Sequence, residues 1–194
     1  MIDFLLDFGI KGERKAGFTG AWVDNRKIAS IGIGVRKWVS FHGVAININT
    51  DATLTILREC YPLLRLSPNR ARIVFIGSKN VAAPGPGASA YSASKAALNQ
   101  LARIAALEWG YEGIRVNTVH PDAVFDTGIW TDDVLKSRAK SYGLSVEEYK
   151  KKNILRVEIS SRDVAELVAE LCGPLFSKTT GTQIPIDGGN DRVI

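Results

Sequence analysis

Two cysteines and two histidines are the only thiol and imidazole ligands in this sequence. Cys60 and Cys172 stand far apart, His42 and His120 have no ligand-like spacing around them, and neither CxxC nor HExxH occurs. Neither a disulfide framework nor a metal site is therefore expected. Both cysteines lie in apolar helical patterns and read as buried free thiols, which implies a reducing compartment. Long hydrophobic runs are missing too, and nothing approaches the roughly 18 apolar residues a membrane-spanning helix requires. The opening Met1-Ile2-Asp3-Phe4-Leu5-Leu6-Asp7 carries acids inside its apolar run, without a basic start or a cleavage site, so it does not read as a signal peptide. A cytoplasmic protein is expected. Internal repeats and low-complexity tracts are also absent.

What remains is an ordinary globular composition. The 194 residues are 45% apolar and 23% charged, enough to bury a good core and too apolar for disorder. The net charge of +5 is spread along the chain, and its longest basic run, Lys150-Lys151-Lys152, has no interleaved aromatics. That run reads as a solvated helix end, and no nucleic-acid partner is expected.

Two rhythms divide the chain near residue 50. Before it, 21–23, 28–33 and 44–48 read as short strands separated by turn-like Asp24-Asn25-Arg26 and Phe41-His42-Gly43, the pattern of antiparallel hairpins. Residues 1–8 could form a short amphipathic helix. Gly32-Ile33-Gly34 reads as a strand-end or bulge glycine pair. After residue 50, Leu54, Leu57, Tyr61 and Leu64 make a helical stripe. Strand 72–77, a long helix over 90–109 stopped by Gly110, and strand 114–119 then form a βαβ unit, which implies a parallel sheet. Ser145 with Glu148 and Ser160 with Asp163 spell helix starts. Pro174 ends the last helix, and Pro185 suggests an edge position for a final strand over 181–186.

Chemistry concentrates around Tyr91-Ser92-Ala93-Ser94-Lys95. Four residues apart on a helix, Tyr91 and Lys95 share one face. A neighbouring ammonium would stabilise a phenolate and make Tyr91 a usable acid/base near neutrality. Ser78 closes the apolar run Ile73-Val74-Phe75-Ile76, at the carboxyl end of a buried parallel strand, where open α/β sheets place their ligands. Its hydroxyl could hydrogen-bond a carbonyl or an alcohol.

In this order and at this spacing, residues 49–194 resemble the catalytic half of a short-chain dehydrogenase/reductase. The resemblance implies a Rossmann-like α/β fold, NAD or NADP as cofactor, and an alcohol or carbonyl compound as substrate. Tyr91 would be the acid/base, Lys95 its partner and ribose anchor, and Ser78 the donor that orients substrate. Asn49 would match the asparagine that orders a proton-relay water. Pro121 and Thr127 match the family's Pro-Gly segment and the threonine that contacts the nicotinamide amide, with Asp122 in place of the glycine. The closing run from Thr180 to Gly189 is similar to the family's final strand. Ser78-Lys79-Asn80-Val81 and the segment 187–194 further resemble the dehydrogenase part of bifunctional rhamnulose-phosphate aldolase/alcohol dehydrogenases.

That family opens on a strand and TGxxxGxG, whose glycines let the backbone approach a pyrophosphate. The pattern does not occur in these 194 residues. Gly20-Ala21-Trp22-Val23, Lys27 to Gly32, Arg36 to Gly43 and Asn47-Ile48-Asn49 instead resemble a lipoyl (octanoyl) transferase over about residues 1–51. Lys27 falls on that family's active-site lysine. The nucleophilic cysteine in its Pro-Cys-Gly context is absent, Cys60 does not replace it, and Lys27 reads as a surface lysine. The expected architecture is thus an α/β chain with a partial Rossmann-like parallel sheet and flanking helices over 51–194. Antiparallel hairpins over 1–50 replace the first half of the dinucleotide-binding fold. Weak or no turnover is expected, or a non-catalytic folded protein. Apolar faces on the helices before Ser78 and bearing Tyr91 suggest a homo-oligomer.

Overall fold

The computed structural model describes residues 11–15, 18–23, 26–36, 39–46, 50–68, 70–85 and 88–190. The chain divides into two compact units, residues 1–61 and 62–194. Helix α1 (Thr50–Arg65) spans the division. The suggested helix over 1–8 lies outside the described residues, as does Asn49.

The first unit is an antiparallel meander of β1 (Glu13–Lys15), β2 (Phe18–Val23), β3 (Arg26–Arg36) and β4 (Val39–Ile46) in sequential order. The expected hairpins are present, but two details differ. Phe41-His42-Gly43 lies inside β4, and the strands meet only two residues apart, between Arg36 and Val39. Gly32 and Gly34 lie inside β3, paired with Gly43 and Phe41 in an unbroken register from Ala29↔Ile46 to Arg36↔Val39. Neither glycine is at a strand end or a bulge. Ile31, Ile33, Val35, Val39, Phe41 and Val44 surround these positions, and extended β-branched and aromatic neighbours outweigh a glycine's preference to turn.

The second unit holds a parallel sheet in the order β5 (Arg72–Ile76), β6 (Arg115–Pro121), β7 (Gln183–Ile186). Helix α2 (Ser89–Trp109) connects β5 to β6, then α3 (Asp132–Ser141), α4 (Val146–Lys150) and α5 (Ser161–Cys172) precede β7. All seven residues of the central β6 are buried, and both α2 and α5 pack on it. Val116, Val119, Ile114, Leu98, Ala102, Ala105 and Leu171 form the centre of the core. The fold is α/β, as the alternation of strand and helix periods implies. Pro185, lacking an N–H, sits on the terminal strand β7 opposite His120.

Helix ends follow local chemistry. Ser145–Glu148 and Ser160–Asp163 form the two capping boxes their spacing predicts. The Asp126 carboxylate also accepts the Ser161 N–H (2.9 Å) and hydroxyl (2.7 Å) at the start of α5. Helix α2 ends at Trp109 with Gly110 as its C-cap, where the sequence places the stop. The φ of Gly110 is −59°, the chain runs on through a 3-10 turn, and the left-handed residue is Gly113 at φ 78°. Arg115 then ties β6 to the end of α5, donating to Leu171 O at 2.9 Å and Thr179 O at 3.2 Å.

Three expectations about surface chemistry are corrected. Cys60 is exposed and Cys172 only half-buried. Both thiols are free. Lys152 is no solvated helix end: its ammonium lies 4.7 Å from the Tyr142 ring centroid and 5.4 Å from that of Tyr149. Ammonium and rings are within cation–π range.

Candidate active site

Short strands in one direction place their carboxyl ends together, and there the candidate residues lie. Ser78 follows β5 by two residues and is 7% exposed. Its backbone is extended (φ −164°, ψ 150°), and its Oγ accepts the Asn80 N–H at 3.2 Å as the cap of a 3-10 turn over Lys79–Val81. That bond uses an oxygen lone pair and leaves the hydroxyl proton for an outside acceptor.

Helix α2 delivers Tyr91 and Lys95 one turn apart. Tyr91 is 46% exposed, whereas Lys95 is buried. The Lys95 ammonium lies 5.9 Å from the Tyr91 ring centroid and donates to Ile76 O at 3.2 Å, two residues before Ser78. Burial holds that ammonium below its ordinary value. A further contact joins the two segments, since Asn80 Nδ2 donates to Ser92 Oγ at 3.4 Å.

Pro121 ends β6, buried and opposite Ile186 of β7. Thr127 lies beyond it, with its hydroxyl donating to Val124 O at 2.8 Å inside a turn. Lys27 lies in β3, but its side chain is outside the described residues. The structure therefore gathers Ser78, Lys95 and Tyr91 around the end of β5 and places Pro121 on the neighbouring strand.

Three residues went unrecognised in the sequence. Asp122, at the position where glycine was expected, pairs with Lys79 at 3.5 Å and accepts from the Asn190 side-chain amide. His120 touches both Ser78 and Gln183. The local signal for the first pair was present: a lysine directly after Ser78 and an aspartate directly after Pro121. Beyond them, Phe125 and Trp130 pack at 4.9 Å and Tyr142 and Tyr149 at 5.5 Å, an aromatic cluster that orders the segment after β6. Burial and the nearby Lys79 hold the Lys152 ammonium below its ordinary value, against the opposing pull of Asp122.

The enoyl-(acyl carrier protein) reductase family model matches residues 39–191. The chain belongs to the short-chain dehydrogenase/reductases. Among short-chain dehydrogenase structures, one from Francisella tularensis is 31% identical with a TM-score of 0.62, covering 73% of this chain and 58% of that one. An oxidoreductase of this family from Burkholderia thailandensis is also 31% identical, with a TM-score of 0.60 and coverages of 74% and 53%. The uncharacterized oxidoreductase YuxG of Bacillus subtilis is 39% identical over 151 residues, which is 74% of this chain and 22% of that protein. The first residues are similar to something else. The lipoyl protein ligase A/B catalytic domain model matches residues 1–67, and the octanoyltransferase of Gloeobacter violaceus is 55% identical over 51 residues, 26% of this chain and 23% of that protein. The chain thus spans about a fifth of these two curated relatives and somewhat over half of the two solved structures.

In this short-chain dehydrogenase/reductase, Ser78 lies just beyond β5, and Tyr91 and Lys95 lie on the helix that follows. Among the described residues no TGxxxGxG turn joins a strand to a helix. Among the same residues no His, Cys, Asp and Glu group suits a metal, and no helix is long and apolar enough to cross a membrane.

Proposed function

We propose that this chain carries the catalytic half of an NAD(P)-dependent oxidoreductase that interconverts an alcohol or hydroxyaldehyde with its carbonyl, and that turnover by these 194 residues is weak or nil. The observation that carries the reading is Lys95: a buried ammonium anchored to Ile76 O, two residues before Ser78, and 5.9 Å from the Tyr91 ring centroid. Burying a charge costs free energy that surface lysines avoid, and such sites are characteristic of tuned acid/base pairs.

In this reading the Ser78 hydroxyl donates to the substrate oxygen. Tyr91 gives or takes the hydroxyl proton, and Lys95 stabilises the phenolate form and holds the ribose. Pro121 and Thr127 would border the nicotinamide, and Asn49 would order a relay water. The nicotinamide, when bound, supplies or accepts the hydride. The residues present suit that end of the cofactor only. Without phosphate contacts most of its binding energy and orientation are lost, and hydride transfer depends on both. The likeness of 78–81 and 187–194 to rhamnulose-phosphate aldolase/alcohol dehydrogenases favours a small hydroxyaldehyde as substrate.

Calorimetry with NAD(H) and NADP(H) tests the proposal. Binding weaker than micromolar is expected, and micromolar binding overturns the claim of weak turnover. Any alcohol-dependent reduction of NAD should disappear in Tyr91→Phe. A Tyr91→Phe variant that retains it defeats the assignment of Tyr91, whereas no such reduction in either form leaves a non-catalytic role for the fold.

A second reading, octanoyl transfer, draws only on the likeness of the first 51 residues to octanoyltransferases. It requires a thioester on Cys60, which is exposed. Mass spectrometry after incubation with an octanoyl thioester should find Cys60 unmodified.

A further inference from the structure

We infer that His120 is the positioning residue of Ser78, acting as a neutral imidazole protonated at Nε2 that accepts the Ser78 N–H at Nδ1. The catalytic meaning of this inference rests on the dehydrogenase reading; the geometry does not. His120 is buried in β6, and Nδ1 lies 3.1 Å from Ser78 N and 2.9 Å from Ser78 O. A neutral ring nitrogen can serve only one of these partners.

Two observations choose between them. Ser78 O already accepts the Val81 N–H at 3.0 Å, whereas the Ser78 N–H has no other acceptor among the described residues. A buried N–H left unpaired is costly, so Nδ1 takes the accepting role. Nε2 then carries the proton and donates to Gln183 Oε1 at 2.7 Å. Gln183 Nε2 completes the chain toward Thr118 Oγ1 at 3.5 Å. One imidazole therefore links the residue after β5, the end of β6 and the start of β7.

The ring also explains Gly77. A Cβ built there would lie 2.5 Å from His120 Nδ1 and 2.6 Å from Cε1, far inside contact distance. Only a glycine lets the imidazole lie against the backbone that leads into Ser78. With its N–H held by His120 and its C=O by Val81, Ser78 has a fixed backbone from which its hydroxyl proton is aimed.

The test needs neither cofactor nor turnover. With only His42 and His120 in the chain, a His42→Gln variant assigns the two imidazoles in long-range proton–nitrogen NMR spectra. At about pH 8, where an imidazole is ordinarily neutral, His120 should appear as the Nε2–H tautomer. Amide exchange supplies the second arm. The Asn side-chain oxygen reaches the place of Nδ1, and the Gln side chain reaches only that of Nε2. His120→Asn should therefore keep the Ser78 amide about tenfold more protected than His120→Gln does, with equal protection at Val116 in both. An Nδ1–H tautomer, or equal Ser78 exchange in the two variants, overturns the inference. If neither variant folds, the tautomer of the unmutated chain still decides it. Failure of the dehydrogenase reading would appear instead in the calorimetry, with the His120 results unchanged.

Discussion

The Lys79 ammonium lies 3.5 Å from the Asp122 carboxylate, bridging the segments that follow β5 and β6. The same carboxylate accepts from the Asn190 amide after β7, so one side chain joins the carboxyl ends of all three parallel strands. Both charged groups are mostly buried, which limits screening by water. Asp122→Ala should lower stability by about 1.5–3 kcal/mol, the range for charge-assisted hydrogen bonds. Urea unfolding checks it, and an unmoved midpoint would show that the bridge carries no stability.

Gly77→Ala should be more disruptive than its single methyl suggests. The added carbon would force the His120 ring aside, at about 1–3 kcal/mol for overpacking a tight interior. The Ser78 amide resonance should shift with it. A stable variant with an unchanged Ser78 resonance refutes the close approach.

Acid should loosen α4 and α5 through their caps. Hydrogen bonds from Ser145 and Ser160 hold the Glu148 and Asp163 carboxyls below their ordinary values of 4.5 and 3.8. A folded value below the unfolded one contributes stability that is present above the unfolded value and is lost as pH falls through the folded one. The urea midpoint should therefore decline as pH drops from about 5 through these values. Ser160→Ala should cost about 1 kcal/mol at neutral pH and flatten part of that decline. A slope identical to that of the unmutated chain counts against the capping assignment.

Lys95 has the opposite sign. Burial lowers its folded value below 10.5, so the charged form penalises folding. The penalty is full below the folded value and fades as pH rises through it toward 10.5. Lys95→Met should raise the unfolding midpoint at neutral pH by the equivalent of up to about 1 kcal/mol. That gain should shrink as pH approaches 10.5. A variant destabilised at every pH would mean that the ammonium's hydrogen bonds outweigh its desolvation.

We propose a dimer or larger assembly through α1 and α2. Leu63 and Leu66 at the end of α1 are 71% and 78% exposed, and Ile104 and Leu107 on α2 are 41% and 70% exposed. Apolar side chains so open to water favour cover by a partner. Light scattering at tens of micromolar should find more than one copy, and a clean monomer ends the proposal.

Much of this chain was legible from residue order alone. The parallel βαβ unit, both capping boxes, the antiparallel hairpins and the placing of Tyr91 and Lys95 one turn apart on one helix follow from hydrophobic period, turn chemistry and spacing, which act over a few residues or along one element. The exceptions follow a physical rule. Glycine carries no marker for whether it turns, stops a helix or is paired in a strand. Gly43 and Gly32 were therefore decided by their neighbours across the sheet. The exposure of Cys60 depends on which side of α1 is covered, and the helical stripe alone does not fix that. His120 and Asp122 depend on tertiary structure most of all. Their partners are 42 and 43 residues away at Ser78 and Lys79, and more than 60 away at Gln183 and Asn190. Only the parallel stacking of three strands brings those ends within hydrogen-bonding distance.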